Sequence, residues 1–176
     1  MAVQGIRSKK FGTTPLGSPV TLQSNGTATV ATASLIPGLH AITARYSGDG
    51  NYAAVTTSVL GFTVTQSSVP LTAATTAAVM PGVPPTLTAQ LGAAGEQPVP
   101  TGKVTLSVLE NNVPSPVSSQ TFTLSGNPPF QLSATVNTAA HPLVPGKYSA
   151  FWSYSGDAVS APATSSAVLS IRARTL

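Results

Sequence analysis

Tyr46-Ser47-Gly48-Asp49 recurs as Tyr154-Ser155-Gly156-Asp157, 108 positions later (46 against 154). The agreement runs back to Pro37-Gly38 and Pro145-Gly146, and forward to Ala53/Ala161, Thr56/Thr164 and Ser58/Ser166 at the same offset. A fixed offset of this size marks one structural unit used twice. Each tetrapeptide follows a stretch of alternating apolar residues and precedes a small-residue turn and a second strand. Ser-Gly-Asp suits such a turn, because glycine accepts positive φ and the aspartate carboxylate accepts hydrogen bonds from turn amides. The repeated element is therefore read as structural.

Charged residues make up 7% of the 176-residue chain, against about 25% in ordinary globular proteins. Sixteen prolines and fifteen glycines interrupt any long helix, and the abundant Thr and Val suit half-buried pleated surfaces. The class expected is all-β, with two tandem immunoglobulin-like β-sandwiches. The polar stretch Gln66-Ser67-Ser68 is read as a hinge, giving an incomplete domain over 1–66 and a complete seven-stranded one over 67–176.

The net charge is +4, with Arg7, Lys9 and Lys10 near one end and Arg172 and Arg174 near the other. No basic stripe with interleaved aromatics forms, so no nucleic-acid partner is expected. No apolar run reaches membrane-spanning length. Met1 to Lys10 has no apolar core of a signal peptide, so export information is expected elsewhere or in a longer chain. The chain has no cysteine, so the sandwiches must hold together without an inter-sheet disulfide.

In the first unit, Val20 and Leu22 lead into Ser24-Asn25-Gly26, and Ala28 and Val30 return, which predicts a hairpin. Asn25-Gly26-Thr27 also fits an N-glycosylation acceptor, but the tight turn explains it. His40, Ile42, Ala44 and Tyr46 share the expected core face of the next strand, and Val55 to Thr65 follows as another. The second unit reads as strands over 69–79, 86–91, 103–109, 117–124, 130–136, 148–154 and 163–171. The fourth and fifth are expected to pair around Ser125-Gly126-Asn127, and Pro70 makes the first an edge strand.

Together Pro100-Thr101-Gly102-Lys103-Val104-Thr105, Leu16-Gly17 and Gly38 to Tyr52 resemble the bacterial Ig-like repeat domains of the group 3 type, in tandem copies with the first truncated at its N-terminus. The resemblance implies a secreted or cell-surface bacterial protein whose modules space, display or adhere without catalysis. Tyr148 takes the place of the tyrosine corner ahead of Ala150, and His40 reads as a substituted corner residue ahead of Ile42. Trp152 shares the inward parity and reads as core.

Aligning the units puts Gln4-Gly5 on Thr101-Gly102, so Arg7 and Lys9 fall near the positions of Val104 and Leu106, with nothing ahead to supply two opening strands. About six inward side chains would lack cover, at about 1.5–3 kcal/mol each, on the order of the whole stability of a small domain. The first unit is not expected to be stable as an isolated sandwich. Three outcomes are open: a truncated segment, a reduced sandwich leaning on the second unit, or strands lent by another copy or a neighbouring Ig-like repeat. The last would drive assembly into a filament.

No catalytic residue, cofactor or metal is expected. The only acids are Asp49, Glu96, Glu110 and Asp157, with the two aspartates in equivalent turns of separate units. His40 and His141 are the only histidines, and with no cysteine and no His/Asp/Glu cluster at ligand spacing no zinc site is expected. Asp49-Gly50-Asn51 lacks the later ligands of a calcium loop. Alternatives to a structural or adhesive module are an accessory carbohydrate-binding module, for which Tyr52, Phe11 and Phe130 are the candidate aromatics, and a phage virion surface protein.

Overall fold

The computed structural model describes residues 2–3, 6–9, 14–74, 79–80, 83–110, 113, 115–136 and 143–172. Phe11, His141 and Arg174 lie outside them. The chain divides into two compact units, Met1–Thr65 and Gln66–Leu176. All regular structure among the described residues is β, with no helix.

In unit 1, β1 (Ala2–Val3) pairs with β4 (Val20–Thr21), while β2 (Ile6–Lys9) lies between β3 (Thr14–Pro15) and β5 (Gly38–Tyr46). On its other edge β5 pairs with β6 (Val55–Thr56) and β7 (Leu60–Val64). Ladder positions set Ile6 opposite Ala44, Arg7 opposite Thr43, Ser8 opposite Ile42 and Lys9 opposite Ala41. The expected alignment of Arg7 and Lys9 on Val104 and Leu106 is thereby corrected. Unit 2 sets Leu106 opposite Trp152 and Ser107 opposite Phe151, so Arg7 takes the place of Ser107 and Lys9 that of Leu109. The register differs from the expected one by three residues (107 against 104), an odd number, so Ile6 and Ser8 take the ladder places of Leu106 and Val108.

The strand expected over 55–65 is split. Thr57 NH bonds Ala44 O at 2.9 Å and Thr57 Oγ1 accepts from Ala44 NH at 3.0 Å. Tyr46 opposes Val55 as Tyr154 opposes Ala163, yet Ile42 opposes Leu60 where Ala150 opposes Ala167. Unit 1 thus holds one extra residue, a bulge, and the offset drops to 107 beyond it.

The Asn25-Gly26 turn forms without its hairpin. Gln23 NH bonds Thr27 O, Gly26 NH bonds Gln23 O, and Asn25 Oδ1 accepts from Thr27 NH and Oγ1. Its flanks nevertheless part: Val20–Thr21 pairs with β1, and Thr27–Val30 joins no ladder among the described residues.

Unit 2 has seven strands among its described residues: β8 (Leu71–Ala73), β9 (Thr86–Leu91), β10 (Lys103–Glu110), β11 (Ser118–Thr123), β12 (Phe130–Thr135), β13 (Gly146–Tyr154) and β14 (Ala163–Ile171). They form two antiparallel sheets, β12-β9-β8 and β11-β10-β13-β14. The first strand is shorter than expected: after β8, Val79 bridges Ile171 in parallel, so the chain passes from one sheet to the other. The expected β11–β12 hairpin is also corrected. β11 pairs with β10 and β12 with β9, in opposite layers, because both strands need their apolar side chains inside, and the exposed Ser125-Gly126-Asn127 carries the chain from one layer to the other. Inward residues of both layers meet in one core in which Leu87, Leu91, Val104, Leu106, Trp152, Tyr154 and Leu169 are almost wholly buried. Each contributes about 1.5–3 kcal/mol by leaving water. Trp152 lies against Phe122 with ring centroids 5.6 Å apart.

The polar hinge proves to be part of unit 2. Gln66 Nε2 donates to Asp157 O at 2.8 Å, Ser67 NH to Val159 O at 2.9 Å, and Ala161 NH to Ser67 O at 2.8 Å.

Candidate functional site

Two features survive as candidates: the repeated turn and the uncovered face of unit 1. In the turn of unit 2, Asp157 Oδ1 accepts from Val159 NH and Ser160 NH at 2.8 and 2.7 Å. Its Oδ2 accepts from Thr101 NH, Thr101 Oγ1 and Tyr154 OH at 2.7, 2.8 and 3.2 Å. One carboxylate therefore ties the entry of β10 to the exit of β13. Burial pushes its pKa up, but the amides of Thr101, Val159 and Ser160 with the Thr101 hydroxyl outweigh that and hold it well below the usual carboxylate range. In unit 1 Asp49 accepts from Tyr46 OH at 2.6 Å, Asn51 NH at 2.8 Å and Tyr52 NH at 2.9 Å, and its pKa is lowered, foremost by the Tyr46 hydroxyl. Gly48 and Gly156 have φ near +81° and +72°. A Cβ at Gly156 would stand 2.9 Å from Pro162 N and from Ser160 O, so both conformation and space require glycine.

Both aspartates are spent on the fold. A carboxylate held ionised by turn donors is a poor proton donor near neutral pH, and Asp49 and Asp157 belong to separate units. Among the described residues no group of three or more His, Asp and Glu is placed to hold a metal. The Thr101–Asp157 tie was missed in the sequence, although both motifs were visible; nothing local shows that an entry loop will meet a turn 56 residues later.

The corner positions agree in geometry. Tyr148 OH donates to Val144 O at 2.9 Å, and His40 Nε2 lies 2.7 Å from Ile36 O, the same carbonyl one repeat earlier. His40 is 4% exposed and is the one buried side chain over residues 14–65. His40→Phe removes the ring N–H that reaches Ile36 O. It is expected to cost about 1 kcal/mol, read as faster amide exchange in β5 with no change in Trp152 emission.

The rest of unit 1 is open. Phe62 and Leu60 hold the ladder places of Leu169 and Ala167, yet are 48% and 63% exposed against 0% and 9%. A groove of about 300 Å³ runs between Leu16, Val30, Thr32, Leu35, Ile42 and Phe62. Of the candidate sugar-stacking aromatics, Phe130 is buried and Tyr52 exposed, and Trp152 is buried as read.

An antiparallel two-layer unit with a tyrosine corner, and a second unit with a histidine in the same corner, define a tandem immunoglobulin-like β-sandwich fold. Residues 6–65 match the family model of bacterial Ig-like domains, group 3. Among solved structures the chain is similar to the fibronectin(III)-like modules of CbhA from Clostridium thermocellum, at 12% identity and a TM-score of 0.36, over 97% of this chain and 79% of that one. No curated protein matches. No helix among the described residues is long and apolar enough to cross a membrane.

Proposed function

We propose that the chain is a non-catalytic structural or adhesive module of a secreted or cell-surface bacterial protein, acting through rigid β-sandwich units in series and joined to neighbouring units by strand addition. The observation that carries this reading is the presence, in one chain, of a closed sandwich and a second unit of the same plan whose inward face is bare. A closed sandwich is a spacer; an open one is a joint. The outward residues of β9 and β12, namely Thr86, Thr88, Gln90, Gln131, Ser133 and Thr135, are exposed and uncharged, as befits a spacer surface with no charged ligand to hold. Carbohydrate binding has less support, since Tyr52 is the one candidate aromatic known to be exposed.

The test is immunolabelling with antibodies raised against unit 2. Intact cells of the producing bacterium are expected to label. Labelling only after permeabilisation overturns the surface assignment.

A further inference from the structure

Unit 2 shows what covers the face that unit 1 leaves bare. There β12 has a single ladder partner, β9, whose Leu87, Ala89 and Leu91 point into the core. The sequence Ser133-Ala134-Thr135-Val136 of β12 and its end returns in unit 1 as Thr27-Ala28-Thr29-Val30. This stretch is not assigned as strand, because a strand exists only through its partner and none is present among the described residues. Its ends are fixed by the Asn25 turn and by the Thr32 Oγ1–Ser34 contact at 2.8 Å. Between them, the backbone of Ala28 to Ala31 makes no hydrogen bond within the described residues.

Beside it lies the groove. Val30, Leu35, Ile42 and Phe62 line it, and their counterparts Val136, Leu143, Ala150 and Leu169 are 3%, 6%, 0% and 0% exposed under the cover of the facing sheet. We infer that this groove of unit 1 receives a β-strand donated by another Ig-like unit, paired antiparallel to Thr27–Val30, uncharged, and apolar at alternate positions as β9 is. The inference rests on the serial-module reading above.

Three arguments fix the occupant. The lining carries no charge, so charged inward side chains would be buried without partners. β9 itself, Thr86-Leu87-Thr88-Ala89-Gln90-Leu91, is free of charge. The site is the counterpart, within unit 1, of the place where β9 covers the core beside β12 in unit 2. A second copy of the open face pressed against the first would cover Phe62 and Ile42 but leave the amides and carbonyls of Ala28 to Val30 unpaired. An added strand satisfies both needs.

The experiment uses the full chain and a synthetic peptide with the sequence of residues 84–93. Saturable binding is expected, with hydrogen exchange at 28–31 slowed about tenfold or more and the emission of Trp152, which reports unit 2 alone, unchanged. A peptide carrying Leu87→Asp and Leu91→Asp is expected not to bind. Val30→Lys in the chain is expected to weaken binding about tenfold or more, with Trp152 emission confirming an intact unit 2. Equal binding of both peptides, or no slowing at 28–31, overturns the inference. So does slow exchange at 28–31 without peptide in a chain that sediments as a dimer, which assigns the face to a second copy. None of these outcomes alters the surface labelling, which tests the function separately.

Discussion

Leu169→Ala is expected to destabilise unit 2 by about 3–5 kcal/mol, while Phe62→Ala, at the matching ladder position of unit 1, is expected to cost less than about 1 kcal/mol. The residues differ in what surrounds them. Leu169 is 0% exposed between two sheets, so truncation removes buried apolar surface and leaves a cavity that the flanking strands cannot close. Phe62 is 48% exposed, so its loss widens a groove already open to solvent rather than creating a closed cavity. Denaturant unfolding followed by Trp152 emission reports the first change. Exchange of the β5 amides that pair with β7 reports the second. Equal losses would mean that Phe62 sits in a closed core, and the open face and everything built on it would fall. Saturating unit 1 with the strand peptide is expected to raise the cost of Phe62→Ala, since the ring then becomes buried.

The same contrast explains which features were legible in the sequence. Alternation is a local signal, so Thr86–Leu91 and Ala163–Ile171 appear with their expected bounds. Partner choice is not local. Val117–Leu124 and Phe130–Val136 look like a hairpin because a turn joins them, yet each belongs to a different layer. The Asn25-Gly26 turn forms as its residues demand, while the strand after it depends on a partner that the turn cannot supply. The bulge at Thr57 was hidden because the repeat continues at offset 108 through Ser58 in letters but not in hydrogen bonds. The corner was legible in both copies because Tyr148 and His40 each need only a carbonyl four residues upstream. The tie between Thr101 and Asp157 was not, because its halves meet only after β10 and β13 have paired.

That tie governs the response of unit 2 to acid. The folded pKa of Asp157 is depressed: burial opposes ionisation, but the amides of Thr101, Val159 and Ser160 and the Thr101 hydroxyl favour it more strongly. Unfolded, the group titrates near 3.9. A depressed folded pKa gives stability that is fully present above the unfolded value and is lost as pH falls toward the folded one. Unit 2 is therefore expected to weaken progressively below about pH 4. Asp157→Ala is expected to cost about 2–4 kcal/mol at neutral pH, since three amides and two hydroxyls lose their acceptor and the entry of β10 is released from the turn. Asp157→Asn keeps one acceptor oxygen and is expected to cost less, about 1–2 kcal/mol. Both variants are expected to lose most of the acid slope of unit 2, because Asp157 accepts five hydrogen bonds from its surroundings, against one from Ala93 NH at the half-buried Glu96. At the alkaline end the sign reverses. Tyr154 is pushed up to about 12 by burial and by the Asp157 charge, so its contribution holds below pH 10 and is lost as pH rises through its folded value. Denaturation followed by Trp152 emission between pH 3 and pH 8 decides the matter. An Asp157→Ala chain that keeps the wild-type slope would place the acid sensitivity elsewhere and reduce this carboxylate to an ordinary turn residue.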